Sequence, residues 1–477
     1  MRRTKILATI GPSSQSKDIL TRMVKAGLNA VRCNFSHGNV AEHTKRVKLV
    51  REVAKEQGVY IGILADLQGP KIRVAKFKSN QVCLKNGANF ILDAAAGDVE
   101  GDDTRVGIDY KALPEDVDSG DTLLLDDGKI VLTVTKVIDS QIHCQVTVGG
   151  ILSNNKGINK KGGGLSAPAL TEKDKADIKT AAALAVDYVA VSFPRDAKDL
   201  DYARQLLKEA GSTAGIVAKI ERTEAIDNID EIIKASDAIM VARGDLAVEI
   251  GDENVPATQK MIIQQTRRLD KIAITATQMM ESMISCSTPT RAEVSDVANA
   301  VLDGTDAVML SAESASGSYP VQTVEVMSRV CAAAENNDLV GIVSRNNIDY
   351  HHNRVDKAVA NAAVYLANYV HAKAIISLTE SGSTALWMSR INTRLFIYGL
   401  SPNQSTLGRM TLYRGVVPIE FHSTRMPLTD VNKEAALTLE KLGVVDSGDA
   451  VVLTSGDHMG VHGGTNGIKV LKIGSVA

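Results

Sequence analysis

The chain has 477 residues, 44% of them hydrophobic and 23% charged, with a formal net charge of −2. That is the composition of a soluble globular protein, and the length suits about three domains. The balanced charge argues against nucleic acid or an anionic membrane surface as a partner, and no stretch is apolar for long enough to span a bilayer.

The elements follow in chain order. Lys5–Ile10 reads as a strand, Lys17–Lys25 as a helix, Asn29–Phe35 as a strand, Val40–Gln57 as a helix and Tyr60–Ala65 as a third strand. The apolar run 6–10 after Met1-Arg2-Arg3 is too short for a signal peptide, because Gly11-Pro12 ends it, so a cytoplasmic location is expected. The cysteines, Cys33, Cys83, Cys144, Cys286 and Cys331, are scattered, odd in number and without a CxxC, which suits reduced thiols. From about Val74 to Leu165 the pattern changes to short β runs separated by Gly, Asn and Asp turns. The stretch is far too long for a loop and predicts an inserted all-β domain with a hinge at Lys160-Lys161-Gly162-Gly163-Gly164.

The βα rhythm then resumes, with strands expected at Tyr188–Phe193, Ile216–Ile220, Ala238–Ala242, Ile272–Ala276 and Ala307–Leu310. Three strands before the insertion and five after it make eight, the count of a closed (β/α)8 barrel. From about Asn346 a new series begins, with helix Val355–Tyr369 and strands at Ala374–Leu378, Leu395–Tyr398, Val416–Ile419, Ala450–Leu453 and near Val470. The expected domains are a barrel over 1–70 and 168–345, a β-barrel lid over 71–167 and an open α/β domain over 346–477.

A (β/α)8 barrel builds its site just past the C-terminal ends of its strands. Those positions hold Arg32, Asn34, Ser36, Asp66, Arg73, Lys219, Glu221, Asp245, Thr277, Ser311 and Glu313. The segment Gly215–Ile250 anchors the set, because two parallel strands there end in Lys219, Glu221 and Asp245 on one rim. A pair of hard carboxylates suits Mg2+, while the alternative is a salt-bridge network at a sheet edge.

Several stretches carry a resemblance to pyruvate kinases over essentially the whole chain: CNFSHG at 33–38, GPKIR at 69–73, AKIE at 218–221, MVARGDL at 240–246, TATQM at 275–279 and the run 289–314. The resemblance implies Mg2+-dependent phosphoryl transfer from phosphoenolpyruvate to ADP, giving pyruvate and ATP, with Mn2+ as a substitute metal. It implies Glu221 and Asp245 as metal ligands, Lys219 at the phosphoryl group and enolate oxygen, and Arg32 and Arg73 on phosphate. The amides of Gly244 and Asp245 would hold the substrate carboxylate, and Thr277, backed by Ser311 and Glu313, would protonate the enolate. Pro12, Asn34 and His37 fall at the nucleotide, with Asp127 and Lys156 as contacts from the lid. Without the family, His37 could be a packing residue and Ser36 a helix cap.

The family's monovalent-cation site corresponds to Asn34, Ser36, Asp66 and Leu67. Here the loop reads Asp66-Leu67-Gln68-Gly69-Pro70-Lys71-Ile72-Arg73, with Lys71 where K+-requiring members carry Glu. It resembles the K+-independent branch, in which the Lys71 ammonium would take the ion's place near Asp66, Asn34 and Ser36. Other departures are Ala247 and Gly251, where Gly and Pro are common, Ala312 for Gly, and a longer hinge over 159–165.

Thr379-Glu380-Ser381-Gly382-Ser383-Thr384 follows a strand and opens a helix, a setting in which free N–H groups and hydroxyls suit a phosphate. The resemblance implies an allosteric site there for a sugar phosphate or AMP, closed by residues near 456–464, in a homotetramer. The pair His351-His352 reads as solvated rather than metal-binding. Two other functions fit parts of the chain: a Mg2+-dependent aldolase or lyase acting on 2-oxo acids, and a non-catalytic metabolite sensor. The first has no use for a lid or for Lys219, and the second predicts eroded site residues.

Overall fold

The computed structural model describes residues 2–97, 99–336, 354–391, 393–457 and 463–474. Eight parallel strands close into a barrel: Lys5–Thr9, Ala30–Asn34, Gly62–Asp66, Tyr188–Val191, Gly215–Ile220, Ala238–Ala242, Ile272–Ala276 and Ala307–Leu310. Every described pairing between them is parallel, and Lys5 opposite Ala307 closes the ring. The strands are buried on both faces, which is why they read as continuous apolar runs. Alternate residues go opposite ways: Ile6 and Ala8 pack under the helices, while Leu7 joins a core shared with the C-terminal domain.

The insertion is all β, as expected, but it folds as a six-stranded sheet and a separate two-stranded sheet rather than one barrel. Its core holds Phe77, Phe90, Leu92 and Leu132. Gly162, Gly163 and Gly164 all have left-handed φ, at 83°, 81° and 89°, so the hinge follows a path that other residues rarely take. The hinge is also gripped by the barrel. Gly164 N donates to Glu224 Oε1 at 2.5 Å, and Arg222 donates to the Leu165 carbonyl at 3.2 Å.

The C-terminal domain is a five-stranded sheet in the order Val416–Glu420, Ile397–Ser401, Ala374–Leu378, Ala450–Gly456 and Thr465–Lys472, the last antiparallel. The second of these starts two residues later than the expected Leu395–Tyr398, and the barrel's third strand likewise runs Gly62–Asp66. The expected start of this domain near Asn346 and the pair His351-His352 lie outside the described residues. Helix Val355–Tyr369 packs Ala360, Ala363, Val364 and Ala367 into the core under the barrel. No described helix is long and apolar enough to cross a membrane.

Candidate active site

The strands end where parallel pairing places them, and three charged side chains meet inside the rim. Lys219 Nζ lies 2.8 Å from Glu221 Oε1 and 3.5 Å from Asp66 Oδ1, and donates to Ser192 Oγ at 2.8 Å. Arg32 Nε donates to Asp66 Oδ2 at 2.6 Å, and its Nη1 to Thr9 Oγ1 at 3.1 Å. Burial pulls against the Lys219 ammonium, but Asp66 and Glu221 overcome it and hold its pKa above the ordinary lysine value. Burial likewise opposes the Asp66 carboxylate, yet Lys219 and Arg32 keep its pKa below the usual range.

Glu221 is the odd member. Burial pushes its pKa up, Lys219 opposes this, and the nearby Asp245 carboxylate adds to the rise. Its Oε2 accepts from Phe193 N at 2.8 Å, and its Oε1 is paired with the Lys219 ammonium at 2.8 Å. A buried carboxylate beside a second carboxylate is a pair of hard oxygen donors, and that donor set fits a divalent cation. No described cluster of three or more His, Cys, Asp or Glu could cage a metal, so substrate oxygens would complete a Mg2+ shell.

Asp245 stands in the first turn of helix Arg243–Ile250, which begins directly at the end of its strand. Gly244 N is already engaged, donating to Thr277 Oγ1 at 2.9 Å. Thr277 has φ 63°, unusual for a β-branched residue. Arg243, buried, grips the Thr277 carbonyl at 2.6 Å and Asp296 at 2.6 Å, which holds that backbone in place. Thr277 Oγ1 donates to the Ala276 carbonyl at 2.7 Å rather than toward Ser311. Ser311 N instead donates to Glu313 Oε2 at 2.6 Å, and burial raises the Glu313 pKa.

The structure moves Lys71 from where the sequence places it. Its ammonium lies 3.3 Å from Asp245 Oδ1 and not on Asp66, whose oxygens face Arg32 and Lys219. The Leu67 carbonyl accepts from Ser192 Oγ at 2.8 Å, and Asn34 Oδ1 accepts from Ser36 N at 3.1 Å. Arg73, at the start of the lid, turns its guanidinium to the Asn155 carbonyl of the same domain at 3.0 Å. Lys156 pairs with Asp126 at 2.7 Å, whereas its expected companion Asp127 is exposed with φ 57°. Pro12 and His37 are exposed at the rim.

Three contributors escaped the sequence reading: Ser192, Phe193 and Arg243. Ser192 and Phe193 follow strand Tyr188–Val191 directly, so the strand-end rule that selected Lys219 would have found them. Gly251, where the family often has Pro, has φ 88° and ends helix Arg243–Ile250; proline could not adopt that angle.

In the C-terminal domain, Thr379, Glu380, Ser381, Ser383 and Thr384 line a cleft of about 250 Å3, with Gly456, Gly463 and Gly464 across it. Residues 458–462 of the expected closing segment lie outside the described residues. The loop uses some of its own donors: Gly382 N goes to Thr379 Oγ1 at 2.9 Å, and Thr384 Oγ1 lies 2.9 Å from Thr465 Oγ1. Glu380 Oε2 accepts from Asn403 at 2.9 Å.

Comparison with known proteins points the same way. The family model for the barrel domain of pyruvate kinase matches residues 1–324, and that for its alpha/beta domain matches 357–471. The chain is 53% identical to pyruvate kinase II of Salmonella typhimurium over 477 residues, covering 99% of both chains. It is 53% identical to a pyruvate kinase of Haemophilus influenzae over 460 residues, 96% of each. A crystal structure of a pyruvate kinase from Cryptosporidium parvum superposes with a TM-score of 0.91 at 33% identity, covering 99% of this chain and 96% of the other.

Proposed function

The chain belongs to the pyruvate kinase family and is a phosphotransferase that passes a phosphoryl group from phosphoenolpyruvate to ADP; from that premise we propose how its residues divide the work. The observation that carries the reading is Lys219, its ammonium held between Asp66 and Glu221 at the barrel rim. Phosphoryl transfer is largely positioning and neutralisation of charge, and a fixed ammonium beside a carboxylate pair provides both. An assay coupling ATP formation to phosphoenolpyruvate and ADP tests it, with no turnover expected when ADP is omitted. An aldolase or lyase would release product without ADP.

Family membership implies dependence on Mg2+. Glu221 and Asp245 would hold the cation, which when bound neutralises the phosphoryl oxygens. Lys219 positions the phosphoryl group and meets the enolate oxygen, and Arg32 is turned toward phosphate by its bond to Asp66. Gly244 and Asp245 present the start of a helix to the substrate carboxylate, with Thr277 giving up its hold on Gly244 N as substrate arrives. Thr277 delivers the proton to the enolate, with Ser311 and Glu313 behind it. Pro12, Asn34, His37 and Arg73 serve the nucleotide, covered by the lid with Lys156 and Asp127. Excluding water there protects the phosphoryl group from hydrolysis.

The enzyme works without K+. Lys71 supplies a fixed positive charge against Asp245. In Mg2+ buffer free of K+ and NH4+, adding KCl at matched ionic strength is expected to change the rate by less than about tenfold, under about 1.4 kcal/mol of barrier. A larger stimulation would remove Lys71 from this role. Lys71→Glu should lose activity without K+ and recover part of it on adding KCl.

The 379–384 loop takes the phosphate of an effector, a sugar phosphate or AMP, in a cytoplasmic homotetramer. Changing Thr379, Ser381, Ser383 and Thr384 together to Ala is expected to abolish activation and leave the basal rate within about threefold, as four hydroxyls remote from the rim would. Activation that survives unchanged would place the effector elsewhere.

A further inference from the structure

Ser192-Phe193 and Glu221-Arg222 follow neighbouring barrel strands, Tyr188–Val191 and Gly215–Ile220. The first pair supports the charged groups of the rim. Ser192 Oγ accepts from the Lys219 ammonium at 2.8 Å, and Phe193 N donates to Glu221 Oε2 at 2.8 Å. Phe193 holds φ 54°, an angle that a residue with a side chain rarely adopts, so its surroundings must fix it.

Two contacts do so, one toward each connection between barrel and lid. On the entry side, Gly69 lies flat against the pair. A Cβ there would stand 2.7 Å from Ser192 Cβ and 3.2 Å from the Phe193 ring. On the exit side, Arg222 sets its guanidinium 5.5 Å from the centre of the Phe193 ring and donates to the Leu165 carbonyl at 3.2 Å. Arg222 is 4% exposed and forms no ion pair among the described residues. The carboxyl of nearby Glu249 is engaged by Thr223 N at 2.9 Å. What holds this buried cation is therefore a hinge carbonyl and an aromatic face.

We infer that Arg222 is a positioning residue for Glu221, acting through Phe193 and anchored on the lid's exit hinge. The inference rests on the reading of Glu221 as a ligand of the divalent cation. The contacts are continuous: Leu165 carbonyl, Arg222 guanidinium, Phe193 ring, Phe193 N–H and Glu221 Oε2. A hydrogen bond to a ligating carboxylate fixes the direction in which its oxygens point. Gly162, Gly163 and Gly164 let the chain turn just before Leu165, so the position of the lid reaches Glu221 along this path. Glu224 grips the same hinge by another route. Its Oε1 accepts from Gly164 N, and a Cβ on Gly163 would stand 2.8 Å from its carboxylate. That makes Glu224 the control for hinge stiffness alone.

The test compares Arg222→Met, Arg222→Lys and Glu224→Ala with wild type, each as the full chain. One readout is equilibrium binding of Mn2+ by electron paramagnetic resonance, and the other is amide hydrogen exchange of Phe193 measured without metal. Arg222→Met is expected to weaken Mn2+ binding at least about threefold, short of the about 10–100-fold that losing a ligand's own hydrogen-bond partner brings. Exchange of the Phe193 amide should quicken at least about tenfold. Arg222→Lys should restore most of both, because an ammonium can still sit over the ring and donate to Leu165. Glu224→Ala should quicken exchange over 162–165 and leave Mn2+ affinity and Phe193 protection at wild-type values. Wild-type values of both in Arg222→Met would overturn the proposal, as would equal losses in Glu224→Ala. If Glu221→Gln itself left Mn2+ binding unchanged, the ligand reading would fail, and the metal-free exchange would still decide whether Arg222 holds Phe193 to Glu221.

Discussion

Replacing Lys219 by Met is expected to lower ATP formation by about 100–1,000-fold or more, with the secondary structure unchanged by circular dichroism. Methionine keeps much of the length and apolar stem of lysine but brings no charge. The Lys219 ammonium is the cation shared by Asp66 and Glu221, and its side chain is only 12% exposed. Glu221 then loses its counter-charge while Asp66 keeps only Arg32, so the Glu221 pKa, already raised by burial, should climb further. Turnover and binding separate in this variant: phosphoenolpyruvate can still meet Arg32, whereas charge developing on the enolate oxygen finds no ammonium. The loss should therefore fall mainly on kcat. A variant within about tenfold of wild type would remove Lys219 from the chemistry.

Arg390→Ala is expected to be the most damaging single change outside the site. Arg390 joins the C-terminal domain to Asp306, which is fully buried beneath the barrel. Its Nη1 donates to Asp306 Oδ2 at 2.9 Å and to the Lys271 carbonyl at 2.7 Å, and its Nη2 reaches Asp306 Oδ1. Ala273 N at 2.9 Å and Arg414 N at 3.3 Å complete the carboxylate's partners. Removing one partner of such a pair strands a buried charge, at a cost of about 3–5 kcal/mol. Differential scanning calorimetry should show the melting midpoint falling by several degrees, and an unchanged midpoint would contradict the assignment.

The same pair sets a pH dependence. Burial works against ionised Asp306, but Arg390 prevails and holds its folded pKa below the unfolded value of about 3.8. Its stabilisation is therefore fully present above that value and is lost as pH falls through the folded pKa. In Arg390→Ala the burial penalty has lost its main opponent, so acid should destabilise this variant from a higher pH than wild type.

Much of the fold is legible in the sequence because parallel barrel strands are buried on both faces and so read as apolar runs between helices. Ile216–Ile220 and Ala238–Ala242 are examples, and the polar residues at their ends mark the rim. What escaped depends on contacts remote in sequence. Lys71 reads as a neighbour of Asp66, five positions away, yet its ammonium pairs with Asp245, 174 positions away. The loop sequence carries no sign of that choice, because Arg32 and Lys219 had to occupy Asp66 first. The lid's two sheets were similarly hidden, since short alternating strands specify β structure but not closure. The left-handed backbone at Thr277 leaves no compositional trace, as a β-branched residue there is held by Arg243 rather than by its own preference.

Glu221 and Asp245 together are proposed to hold the divalent cation on which phosphoryl transfer depends. Equilibrium binding of Mn2+, followed by electron paramagnetic resonance in the absence of turnover, tests it most directly. Wild type is expected to bind one ion per chain at this site. Glu221→Gln and Asp245→Asn should each weaken that binding at least tenfold, or about 1.4 kcal/mol. If both variants bind Mn2+ with the affinity and stoichiometry of wild type, the cation lies elsewhere and this account of the site is wrong.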